Sequence, residues 1–304
     1  MRCAQLSWAC PTPDLSLTSG ALPTMSTDER TTPDPRFAFD FHAYDDPGDG
    51  SRFSTWLQVE PLCRGPEPRP DWVVTSQAAV DTELGILKTG KEADVFLLER
   101  AVPDDPGQSV VMAAKRYRDE QHRSFHRSAA YTEGRRTRRS RDARALAKGT
   151  AHGRAVAAGA WAGAEWEAMK RFWDAGLPVP YPVQIDGTEI LMELVTDDGV
   201  PAPRLAQTRP EPDLLVCYLD QLRAAMSGLA RLGVAHGDLS AYNVLAAGDR
   251  LVVIDLPQAV DVVANPAGMD FLMRDCRNVA AWFTARGLPV DEGELFADLV
   301  AAAF

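Results

Sequence analysis

The stretch His236 to Asn243, HGDLSAYN, constrains this chain more than any other. It sets an Asp and an Asn five residues apart with a short polar run between them. Asp255 follows that Asn by twelve residues, at the end of the apolar run Leu251-Val252-Val253-Ile254. An Asp on a loop, an Asn just after it and an Asp at a strand end can gather around a phosphate and its metal. Asp238 then orients and deprotonates a hydroxyl, while Asn243 and Asp255 hold Mg2+ against the phosphate oxygens. An HxD triplet by itself occurs on many polar surface loops. The distal Asn and the IDxxQ pattern of Ile254 to Gln258, at this spacing, point to a phosphotransfer site.

A chain of 304 residues holds one large domain or two lobes plus extra segments, and 45% hydrophobic residues suffice for a sizeable core. The net charge of -11 argues against a general nucleic-acid binder. Cys3, Cys10, Cys63, Cys217 and Cys276 form no CxxC pair, which disfavours a zinc site or disulfide framework and fits a reducing cytoplasm. No run of about 18 apolar residues offers a membrane span. The residues before Pro11 lack the continuous apolar core of a signal peptide.

Three segments are expected. Residues 1–75 read as a disordered N-terminal extension, because Pro, Ser, Thr, Asp and Gly dominate and apolar positions are few. Within it, Trp56, Leu57 and Trp72 to Val74 are candidate anchors on the folded body. Met25 opens like an ordinary start, so residues 1–24 are either an upstream over-extension of the reading frame or a genuine tail.

Residues 76–195 read as a first lobe. Leu84 to Lys88 and Asp94 to Leu98 form two strands around the turn Thr89 to Ala93. A loop follows from Val102 to Gly107, and a third strand runs from Ser109 to Tyr117, apolar until Lys115. A lysine ending such a strand can pair with inner phosphates and with a helix Glu. Arg154 to Ala175 read as a helix with Trp161, Glu165, Met169 and Phe172 on one face. A lone Glu in an apolar stripe is costly to bury, and Lys115 is its natural partner. Gly176 and the prolines at 178, 180 and 182 end the helix. Strands near Val183 to Ile185 and Ile190 to Leu194 lead to a linker, Thr196 to Pro203, where a purine ring could meet backbone groups.

Residues 196–304 read as a short helical lobe: a helix from Asp213 to Leu232, the HGDLSAYN loop with flanking strands, and closing helices over Asn265 to Arg286 and Asp291 to Ala303. Only 49 residues follow Asp255, too few for a peptide-docking subdomain. The arginines at 135, 136, 138, 139, 141 and 144 form a basic segment suited either to solvent or to phosphate contact with RNA.

These features together resemble the RIO family of atypical protein serine kinases, nearest to its RIO1-like branch. TGKEADVF resembles the family's phosphate loop, Ala114-Lys115 its strand lysine, and Phe125, Tyr131 and Gly134 its loop before the helix. Trp161, Ala162 and Glu165 with GLPVPYP resemble the helix and its exit, HGDLSAYN resembles HGDLSEYN, and IDLPQAV the metal motif. The resemblance covers roughly residues 80–290. It implies an α+β, bilobal protein-kinase-like fold with a reduced helical C-terminal lobe. It implies ATP with Mg2+ (Mn2+ as a substitute), Lys115 and Glu165 as an ion pair, Asp238 as catalytic base, and Asn243 and Asp255 as metal ligands. Lys91, Val95, Lys115, Met192, Glu193, Val195 and Ile254 are the nucleotide contacts it implies, with backbone groups of Glu193 and Val195 offered to adenine. The expected activity is transfer to protein Ser, including autophosphorylation, or slow ATP hydrolysis as a switch. Two other readings stay open: a small-molecule phosphotransferase of the aminoglycoside-kinase kind, and an assembly factor whose ATP state controls binding to a ribosomal particle or RNA through residues 135–144.

Overall fold

The structure, a computed structural model, describes residues 48, 50–118 and 151–304; of residues 151–156 and of Gln258 it describes the backbone alone. Strands β1 (Ser51–Phe53), β2 (Val80–Thr89), β3 (Ala93–Val102), β4 (Asp105–Tyr117), β5 (Pro182–Asp186) and β6 (Glu189–Glu193) form one six-stranded sheet in the order β1-β2-β3-β4-β6-β5, every pair antiparallel. Alternation gives each face its own core. Ala93, Ala113, Tyr117, Ile190 and Met192 pack with helix α1 (Ala151–Asp174), which supplies Ala158, Ala162, Trp166, Met169 and Phe172. On the opposite face Leu98, Met112, Ala114, Val183 and Leu191 meet Trp56 and Val73.

That second core corrects the expected disorder of residues 1–75 for the part from Ser51 onward. β1 pairs with β2, and Trp56, Val73 and Val74 are buried, although Leu57 is not. The segment lacks periodicity because it lies across the sheet as an irregular strap, held by single polar contacts that composition does not reveal. Gly65 N donates to Val183 O at 2.9 Å, and Leu62 O accepts from Trp166 Nε1 and from Lys170 Nζ, each at 3.2 Å. Arg64 and Arg69 stack on the Trp56 ring, 5.3 and 5.1 Å from its centroid. Beneath it the buried Arg100 guanidinium grips both oxygens of Asp81, at 2.6 and 2.8 Å, and donates to Gln184 Oε1 at 2.9 Å. Residues 1–24 and the Met25 start lie outside the described residues.

The loop expected from Val102 to Gly107 shrinks to a tight hairpin turn, since β3 runs to Val102 and β4 starts at Asp105. Asp104 adopts φ 64°, a left-handed conformation that Asp tolerates better than most residues. Helix α1 ends where Gly176 turns left-handed (φ 72°) and Leu177 N bonds back to Phe172 O at 2.9 Å.

The second lobe is built on α2 (Pro212–Arg231), α3 (Gly268–Thr284) and α4 (Glu292–Ala303). Pro212 opens α2 and Asp291 caps α4, accepting from Gly293 N and Glu294 N at 2.8 Å each. Short strand pairs complete it. β7 (Thr196–Asp197) with β8 (Val200–Pro201) turns the linker between lobes into a small hairpin. β9 (Val234–Ala235) pairs with β12 (Val260–Asp261), and β10 (Val244–Ala247) with β11 (Arg250–Val253). The HGDLSAYN loop runs from β9 to β10, and Asp255 follows β11, so both reach the cleft from the same side. Among the described residues no helix is long and apolar enough to cross a membrane.

Candidate active site

The sheet and helix α1 bring Lys115 and Glu165, fifty positions apart, into one ion pair. Lys115 Nζ lies 2.7 Å from Glu165 Oε1 and 3.1 Å from Asp255 Oδ1, so one ammonium bridges strand, helix and second lobe. The Glu165 side chain is only 3% exposed and the lysine 13%, whereas Asp255 keeps 42% of its side chain open. Burial opposes the Lys115 charge, but Glu165 and Asp255 outweigh it and hold its pKa well above the ordinary lysine value. Lys115 likewise pulls the Asp255 carboxyl below its ordinary value, against the effect of burial.

Tyr117, two residues on and therefore on the same strand face, donates its hydroxyl to the other Glu165 oxygen. Burial, then the Glu165 charge, pushes its phenol well above the usual range, so it remains a donor. Reading Ser109 to Tyr117 with period two would have found this contact, which sequence reasoning missed.

On the other wall the Asp238 carboxylate is half exposed, with Arg274 Nη2 3.9 Å away. Its backbone is fixed. Asn243 Nδ2 donates to Asp238 O at 2.9 Å and approaches Oδ2 at 3.5 Å, and Arg274 donates to Gly237 O. His236 Nε2 bonds Ile254 O at 3.0 Å, and Ile254 N donates to Asn243 O at 2.9 Å. The loop and the residue before Asp255 are thus tied twice. Asp255 itself sits at φ 68°, a left-handed conformation that lets β11 end abruptly before the turn Leu256–Gln258.

Beneath the loop is Asp275, 1% exposed, whose two oxygens accept from Gly237 N and Leu239 N at 2.8 Å each. Asn278 Nδ2 donates to Leu239 O at 2.9 Å. Burial raises the Asp275 carboxyl above its ordinary value, although His236 and the two amides pull the other way. Asp275 was missed in the sequence. The signal was present: it lies in an apolar helical stripe with Phe271, Leu272, Cys276 and Val279, the pattern that singled out Glu165.

Strand register and chain course locate several of the expected nucleotide contacts. Val95 pairs directly with Lys115, and Met192 with Ala113. The Glu193 side chain is engaged, accepting from Tyr181 N at 3.1 Å and lying 3.4 Å from Arg250 Nη2, and its backbone N–H donates to Tyr181 O at 2.9 Å, so neither its side chain nor its N–H is open to a ligand. The Val195 carbonyl accepts from Ala202 N at 2.9 Å as the linker hairpin closes. Lys91 lies in the β2–β3 turn. The basic segment 135–144, and the matches at Phe125, Tyr131 and Gly134, lie outside the described residues.

A strongly bent antiparallel sheet with one helix carrying the Lys–Glu pair, above a mainly helical lobe presenting an Asp, an Asn and a second Asp, defines the protein-kinase-like class. The Rio2 kinase from Chaetomium thermophilum shares this fold: its complex with ADP, Mg2+ and phosphoaspartate matches with a TM-score of 0.50 at 23% identity, over 72% of this chain and 65% of that one. Residues 105–295 match the RIO domain. The RIO-type serine/threonine-protein kinase Rio1 of Haloferax volcanii is 36% identical over 217 residues, 71% of this chain and 68% of that protein. Serine/threonine-protein kinase RIO1 of Caenorhabditis elegans is 33% identical over 131 residues, which are 43% of this chain and 26% of that longer protein. The chain belongs to the RIO family.

Proposed function

We propose that this chain uses Mg-ATP to phosphorylate protein serine, its own included, and hydrolyses ATP slowly when no acceptor is present. The contact of Lys115 Nζ with both Glu165, at 2.7 Å, and Asp255, at 3.1 Å, carries the reading. It couples the phosphate-binding lysine of one lobe to the metal-binding carboxylate of the other. Asn243 commits its amide N–H to Asp238 O, which leaves its carbonyl oxygen to join the Asp255 carboxylate in an all-oxygen donor set. Such a set suits Mg2+, which keeps several of its waters, and Mn2+ as a substitute. The ion, when bound, neutralises phosphate charge.

The remaining roles belong to the protein. Lys115, oriented by Glu165 and Tyr117, contacts inner phosphates. Val95, Met192 and Ile254 enclose the base, Lys91 covers the phosphates, and the Glu193 and Val195 backbone meets adenine. The half-exposed Asp238 accepts the acceptor hydroxyl's proton as the new oxygen–phosphorus bond forms and the bond between the β- and γ-phosphates breaks, releasing ADP. The free thiols Cys63, Cys217 and Cys276 fit a reducing cytoplasm.

Purified chain incubated with Mg-ATP labelled at the γ-phosphate tests the reading. Label on serine of the chain itself is expected, with Ser124, Ser128 and Ser140 as the first residues to inspect by mass spectrometry. Robust transfer to an added aminoglycoside or sugar, with none to protein, would overturn it.

A further inference from the structure

Lys88 and Arg204 take no part in the site as described above, yet both face it. Lys88 on β2 stands opposite Val95, and Val95 opposite Lys115. Directly paired residues project from one face of a sheet, so Lys88 lies in the Lys115 row, two strand spacings or about 10 Å away. Arg204 comes from the opposite lobe. Its backbone bridges to Leu245, and its guanidinium donates to the carbonyl of Tyr242, the residue before Asn243.

The two cations share one electrostatic neighbourhood. Burial, then the Arg204 charge, lowers the Lys88 pKa, with Asp255 pulling it up. Burial lowers that of Arg204, again with Asp255 opposing. Among the described residues neither side chain forms an ion pair. Lys115 is already shared between Glu165 and Asp255. Two cations carried by opposite walls of a cleft, without a carboxylate of their own, repel until an anion lies between them.

We infer that Lys88 and Arg204 form a clamp, one jaw from each lobe, that receives the phosphate chain of the nucleotide. The clamp rests on the nucleotide-binding reading of the site. It adds to Lys115 a contact on each side of the cleft, and it links closure of the lobes to the number of phosphates present.

Calorimetric titration of the full chain with Mg-ATP, Mg-ADP and adenosine tests it, using wild type, Lys88→Met, Arg204→Met, the double variant and Lys88→Arg. Each methionine variant should bind Mg-ATP about tenfold more weakly, the loss expected for a charge-assisted contact, and Mg-ADP with a smaller loss. Adenosine affinity should not change, and Lys88→Arg should bind Mg-ATP as wild type does. Mg-ATP affinity should also fall more steeply with salt in wild type than in the double variant. Thermal melting confirms that each variant is folded. Equal losses for ATP and adenosine would show that the two side chains merely shape the cleft. Unchanged or tighter Mg-ATP binding by folded variants would overturn the clamp alone. A wild type that binds no Mg-ATP would instead sink the nucleotide-binding reading beneath it.

Discussion

The two walls of the cleft hold their working groups by opposite means. On the sheet wall, side chains hold one another: Glu165 receives Lys115 and Tyr117, and Lys115 reaches on to Asp255. On the loop wall, the backbone is held and the working side chain is left open. Asp275, Asn278, Asn243 and Arg274 all bond the backbone of residues 237–239, while the Asp238 carboxylate stays half exposed. The difference fits the roles proposed for the two walls. A lysine that orients phosphates gains from burial and from charges that fix it. A base must stay within reach of an incoming hydroxyl, so its loop takes its shape from the main chain.

The contrast breaks most visibly at its exposed carboxylates. Asp238→Ala should bind Mg-ATP nearly as wild type does, because no scaffold bond runs through its side chain alone, yet transfer phosphate 10²- to 10⁴-fold more slowly, as removal of a general base does. A loss confined to nucleotide affinity would mean that Asp238 is a binding group. Asp255→Asn should reduce metal-dependent turnover on the order of a thousandfold while the protein stays folded, since it removes a proposed metal ligand and the Lys115 partner together. Unchanged turnover would take Asp255 out of the site.

On the sheet wall the losses should not add. Lys115→Ala and Glu165→Ala should each slow turnover on the order of a hundredfold. The double variant should then lose far less than the product, because each removes the same interaction. Strictly multiplicative losses would dissolve the ion pair as a functional unit and leave the two walls alike.

What was legible in the sequence divides along the same line. The Lys115–Glu165 pair could be read because a charge inside an apolar strand or helix stripe demands a partner, and Asp238, Asn243 and Asp255 because they lie in one short stretch. Lys88 and Arg204 could not. Their approach depends on the β2–β3 register, which shifts between Ile86 and Lys88, and on the course of the linker into the second lobe. The strap from Ser51 to Val74 was hidden for a different reason. It has no period of 2 or 3.6 residues, and its order comes from Trp56 and scattered backbone contacts with residues far along the chain. Composition reports what a segment could bury by itself, and here the surface it covers is supplied by the sheet.

Beneath the loop wall, Asp275→Ala should leave two buried amides without acceptors and cost about 2–5 kcal/mol of stability. Asp275→Asn keeps one acceptor and should cost less. The pH dependence has a definite sign. Burial raises the Asp275 pKa above 3.8, so folding favours its protonated form. That contribution is complete below the unfolded value and fades as pH rises through the higher folded one. The stability gap between wild type and Asp275→Asn should therefore narrow as pH rises above 3.8. Denaturant titrations at a series of pH values measure it, and a gap that widens with pH would mean that the two amides outweigh burial.

The smallest effect concerns the outer support of the sheet wall. Leu62 O accepts from Trp166 Nε1 and from Lys170 Nζ, so the strap grips helix α1 immediately beside Glu165. Trp166→Phe removes the indole donor while keeping most of the buried ring. It should cost about 1 kcal/mol of stability, the net worth of one hydrogen bond plus a modest packing change, because Lys170 still satisfies the carbonyl. If the strap supports the wall only as a whole, the Mg-ATP affinity of the folded variant will be unchanged. If it sets the seat of Glu165, affinity will fall beyond what the melting loss accounts for, and Lys115→Ala will erase that extra fall, since the shift can act on phosphates only through the lysine. An extra fall that survives in the Lys115→Ala background would place the strap's influence outside the ion pair and end the description of this wall as side chains held by one another.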